Sequence, residues 1–156
     1  MVADRPLLVS SRTYNLVAAD AVCYARGTFG QDYEAFKSAE GIPGNTAVWV
    51  GQLTENASYR TNLGLANIGP GPATVLVELF DGNGVRVANY NVLLQSGEWK
   101  QENRPFATLG GQSNMARGAA RVTVSPGVVT SGISVLVMGS VVDNLTNDPT
   151  TFPAIR

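Results

Sequence analysis

With 156 residues, 44% hydrophobic and 15% charged, the chain is long enough for one domain with its own core and lies far from disordered compositions. Eleven Lys and Arg against twelve Asp and Glu leave a net charge of −1, which supplies no basic field for nucleic acid. Histidine is absent, excluding Ser-His-Asp and Cys-His catalysis within the chain, and the single cysteine, Cys23, can close no internal disulfide.

Seventeen Gly and eight Pro are scattered along the chain, the mark of frequent turns between short elements. The start, MVADRP, puts charge and proline before any apolar run, unlike a signal peptide, and the apolar stretch 133–142 is too short and too interrupted to cross a bilayer as a helix. Residues 7–14 follow Pro6 and are rich in strand formers, so they are expected as a first edge strand. Residues 15–45 show little periodicity, and Asp32 is expected to cap one or two helical turns running to residue 39.

Residues 46–53 read as a strand with Ala47, Trp49, Gly51 and Leu53 on one face and Thr46, Val48, Val50 and Gln52 on the other. Trp49, between two valines, is assigned to the core. In 59–68, Tyr59, Thr61, Leu63 and Leu65 alternate with Arg60, Asn62, Gly64 and Ala66, and Gly69, Pro70, Gly71 and Pro72 end the strand. Residues 73–94 read as a hairpin. An Asn83-Gly84 type I′ loop sets Leu79 opposite Ala88, Val77 opposite Tyr90 and Val75 opposite Val92, giving one wholly apolar face.

The polar stretch 98–103 is expected as an extended edge, followed by a loose loop over 108–118. Two closing strands, 119–125 and 128–142, complete the chain. The first carries Ala120, Val122 and Val124 on one face, and the second is apolar on both faces and so belongs inside a sheet. These elements predict one domain over residues 1–156, an all-β antiparallel sandwich, Ig-like or jelly-roll-like, of seven to nine strands and at most one short helix.

Three stretches carry a resemblance: YRTNLGLANI at 59–68, SGEWKQEN at 96–103 and VVDNLTNDPT at 141–150. Together they resemble an uncharacterised Ig-like β-sandwich repeat of large secreted or cell-surface proteins of environmental bacteria. The resemblance implies an extracellular, non-catalytic accessory role and carries no catalytic residue set. The segment 16–27, with Cys23 and Tyr24, departs from that pattern.

Two functional readings follow. One is a structural or interaction module that spaces, adheres or self-assembles through strand edges, since an exposed edge accepts a further strand by main-chain hydrogen bonds. The other is a carbohydrate-binding module whose aromatic surface is Trp99, with Tyr24, Phe29, Tyr33 and Phe36 as a second group. Asp143 and Asp148, with nearby Asn144 and Asn147, are an oxygen-rich Ca²⁺ candidate, though Asx-turns explain the same residues. Glu98 and Glu102, four apart in an extended strand, lie about 13 Å from each other, too far for a glycosidase pair. No cofactor, nucleic-acid partner or membrane insertion is expected; a protein partner or a second copy is, with a polysaccharide as the alternative.

Overall fold

The computed structural model describes residues 10–16, 28–125 and 132–156. It is an antiparallel β-sandwich of two four-stranded sheets with a separate two-stranded hairpin. In chain order the strands are β1 (Ser10–Leu16), β2 (Thr28–Glu34), β3 (Ala47–Glu55), β4 (Tyr59–Asn67), β5 (Ala73–Phe80), β6 (Arg86–Leu94), β7 (Trp99–Asn103), β8 (Met115–Val124), β9 (Val135–Asp143) and β10 (Pro149–Pro153). A single helical turn, α1 (Pro105–Thr108), links β7 to β8. One sheet runs β10-β9-β4-β7, the other β3-β8-β5-β6, and β1 pairs with β2.

Of the strand expected over 7–14, residues 7–9 lie outside the described residues and the rest fall in β1, which runs on to Leu16 and pairs with β2 instead of forming an edge of the sandwich. Asp32 is inside β2, so it caps no helix. Past β2 the chain makes a single 3-10 turn at Ser38–Glu40, in which Glu40 accepts the Lys37 N–H at 2.7 Å. Phe29 and Tyr33 favour extended backbone, and pairing with β1 outweighs the local capping preference of Asp32.

Between the sheets, Val48, Val50 and Leu53 of β3 meet Leu63 and Leu65 of β4, Val75, Val77 and Leu79 of β5, and Ala120, Val122 and Val124 of β8, all buried. Alternation alone sets Leu53 beside Trp49 and away from Val50. The backbone at Gln52 adopts φ 60° where the β3–β8 register shifts, and this bulge turns Leu53 and Glu55 back into the core. Trp49 is therefore on the outer face, 38% exposed, correcting its assignment to the core. Its ring lies 5.2 Å from that of Phe80, with the Arg121 guanidinium 5.8 Å above it.

The β5–β6 register matches the expected one at Leu79 and Ala88, Val77 and Tyr90, and Val75 and Val92. The loop does not. Gly84 N–H donates to the Asp81 carbonyl at 3.0 Å, and Asp81 N–H to Val85 at 2.8 Å, leaving a three-residue loop in which Gly84 (φ 80°) is left-handed and Asn83 is not. The shift beside Phe80 and Arg86 absorbs the extra residue and restores the apolar pairing. β7 is an edge, β9 is internal, and Phe106 of α1 fills the core against Gly118. The loop expected over 108–118 is shorter, since β8 begins at Met115.

Candidate functional site

On the outer face of the β10-β9-β4-β7 sheet, cross-strand pairing puts Asn62 beside Ser140 and Asn103, and Gly64 beside Met138 and Gln101. Trp99, paired with Ala66, reaches diagonally over Gly64; a Cβ there would meet the indole Cη2 at 2.2 Å. A glycine in a regular strand thus provides a seat for the ring, which remains 49% exposed. Trp99 borders a shallow notch lined by Gln31, Asn62, Gln101, Met138 and Ser140, with Gly64 as its floor. Gln31 is held over this face by its Nε2–H donation to Thr151 Oγ1.

The four edges of the sandwich differ. Trp49 of β3 exchanges two 2.8 Å backbone hydrogen bonds with Ile155, so the tail covers that edge. β2 lies against β10 through the Gln31 contact. β7 has five residues and points Lys100 and Glu102 inward, beside Leu65 and Leu63, a placement that discourages a further strand. β6 has nine residues and no covering segment among those described. Thr74, opposite Leu93, gives its carbonyl to Ser125 N–H, away from β6. The backbone groups of Leu93, and by alternation those of Asn91 and Asn89, therefore face the free edge. Lys100 Nζ donates to the Leu93 carbonyl at 2.7 Å, capping one position.

Of the second aromatic group, Phe36 lies apart from Trp99. It lines a separate cleft of about 310 Å³, with Ile42, Val48, Leu136 and Ala154 as apolar walls and Glu40 and Arg156 at the rim. Tyr24 and Cys23 lie outside the described residues; Phe29 and Tyr33 belong to β2, whose side chains there are not described.

The Asp143 to Asp148 segment is the β9–β10 turn. Asp143 Oδ1 accepts N–H bonds from Leu145 and Thr146, and these two bonds, Thr146 first, hold its carboxyl below the usual range. Asp148 gives its backbone carbonyl to Asp143 N–H. Asn144 and Asn147 turn their Oδ1 atoms toward the Arg60 guanidinium at 3.0 and 3.1 Å, so a side chain of the protein supplies the cation these oxygens face.

Three buried polar groups escaped notice in the sequence. Glu55 accepts Ala107 N–H at 2.7 Å and the longer Phe106 contact at 3.4 Å, fastening α1 to β3; burial raises its carboxyl above 4.5 despite these bonds. Glu78 is gripped by Arg86 at 2.8 Å and by Arg121 Nε at 2.6 Å, and the Arg86 bond is the largest influence lowering its carboxyl below 4.5. Tyr90 buries its hydroxyl without a hydrogen-bond partner among the described residues, and that burial pushes the phenol upward. Each glutamate on this list is bound by donors of its own chain. No group of three or more Cys, Asp or Glu suited to a metal occurs among the described residues, and none of their helices is long and apolar enough to cross a membrane.

No family model matches the chain, and no curated protein matches it in sequence. A solved structure described as the crystal structure of Thermotoga maritima 1070 is similar in fold, with a TM-score of 0.56 at 11% identity, covering 73% of this chain and 96% of that one. At that identity the likeness concerns the sandwich alone.

Proposed function

We propose that the protein is a non-catalytic interaction module that self-associates by pairing the β6 edges of two copies. The observation that carries this reading is the contrast among edges: Ile155 covers β3, β2 lies against β10, inward charges guard β7, and no described segment covers β6 at Asn89 and Asn91. In an antiparallel pairing centred on Tyr90, Asn89 of one copy would exchange two backbone bonds with Asn91 of the other, and the reverse, in a closed two-fold contact. The absence of histidine and the engagement of Glu55 and Glu78 by structural partners support a role without catalysis. The extracellular setting rests on the resemblance of the three stretches noted above.

Asn91→Pro tests the pairing. Its nitrogen faces the free edge, so proline removes an outward donor without breaking a bond to β5. Sedimentation of the wild type is expected to show concentration-dependent dimers that the variant lacks, with equal thermal stability. A wild type that stays monomeric throughout, or a variant that dimerises as well, overturns the proposal.

A further inference from the structure

We infer that the outer face of the β10-β9-β4-β7 sheet at Trp99 is a binding site for a neutral sugar unit of a polysaccharide. The chemistry of the lining selects the ligand. Trp99 offers a half-exposed apolar ring, and the residues around it are Gln31, Asn62, Gln101, Ser140 and Met138, with no ionisable side chain among them. A pyranose presents a patch of C–H groups beside hydroxyls that both donate and accept. An indole suits the first, while amides and a hydroxyl, each able to donate and accept, suit the second. The Asn62 amide and the Ser140 hydroxyl form no hydrogen bond within the described protein and are open to water, so a ligand would find them available.

Anionic ligands fit poorly. Arg60, the cation on β4, is turned to Asn144 and Asn147, and Lys100 of β7 points inward to the Leu93 carbonyl. An anion over Trp99 would therefore lie beside amides and a thioether, with no countercharge among the described side chains that line the notch. The notch is shallow, about 10 Å³, which suits a unit of an extended chain lying across the sheet better than an enclosed small molecule. Gly64 fixes the site, since any side chain there must displace the ring.

The test is calorimetric titration of the intact protein with cello-, xylo-, manno- and malto-oligosaccharides, with oligogalacturonate as the anionic comparison. At least one neutral series is expected to bind. Trp99→Ala should weaken binding about tenfold or more, and Gly64→Ala, which displaces the ring and keeps every polar group, should weaken it too. Trp49→Ala, on the opposite sheet, should leave it unchanged. If Trp99→Ala fails to fold, Asn62→Ala and Gln101→Ala at the same face replace it, each expected to reduce affinity. No binding to any neutral series at about 1 mM ligand, affinity unaffected by these variants, or salt-sensitive binding of oligogalacturonate alone overturns the inference. The β6 edge is untouched by all of these substitutions, so its failure and the failure of this site are read separately.

Discussion

Glu78 and Glu55 show how two buried glutamates in one sandwich respond to pH in opposite directions. Hydrogen bonding from Arg86 and then Arg121 outweighs burial at Glu78, so its folded value lies below 4.5 and its contribution to stability is present above that pH and lost as the pH falls. Burial dominates at Glu55, whose folded value lies above 4.5; its contribution is fullest below 4.5 and declines as pH rises through the folded value. Urea unfolding between pH 7 and pH 3 is expected to show Glu78→Gln costing about 1 kcal/mol at pH 7, the guanidiniums being partly solvated, and a flatter acid limb than the wild type. Glu55→Gln should instead steepen the acid limb, because its amide keeps the Ala107 acceptor and removes the group that gains on acidification. Neither residue was legible as a buried anchor, since Ala107 and Arg121 come from elements far along the chain and Arg86 meets Glu78 only across the folded hairpin. Trp49 misled for a local reason: with valines on both sides, alternation does not say which face is the core, and the bulge at Gln52 decides it.

At the scale of elements, apolar pairing proved more informative than turn chemistry. The β5–β6 register follows from matching Val75, Val77 and Leu79 with Val92, Tyr90 and Ala88, because a slip of one residue would turn apolar side chains to water. The loop was less legible because Asp81, Gly82, Asn83 and Gly84 suit more than one turn, and the side chain of Asp81 settles the matter by accepting the Asn83 and Val85 N–H groups at 2.9 Å. Gly84→Ala is accordingly expected to cost about 1–2 kcal/mol in thermal or urea unfolding, since Gly84 is the left-handed residue, while Asn83→Ala should cost well under that. Equal costs at the two positions would favour the two-residue loop. Asp32 failed as a cap because its signal is local and weak, whereas β1 and β2 pair along seven residues each.

For the molecule as a whole, the sandwich was readable from strand count and alternation, and β9 as an internal strand from its two apolar faces. Which edges stay open was not readable, because Ile155 reaches β3 and Gln31 reaches β10 across more than a hundred residues of chain. Trp99 stood out as an aromatic, but Gly64, which seats it, and Asn62, Gln101 and Ser140, which flank it, become neighbours only through the β4–β7 and β4–β9 registers. The central claim concerns β6, whose free groups are backbone atoms that no side-chain pattern announces. Residue-resolved amide exchange measured across protein concentration tests it most directly. Tyr90 and Val92, directed toward β5, should be protected at every concentration, and Asn89 and Asn91 should exchange fast when dilute and slow together as concentration rises. Protection of Asn89 and Asn91 in the dilute protein, or fast exchange at every concentration, would contradict an open edge that pairs between copies.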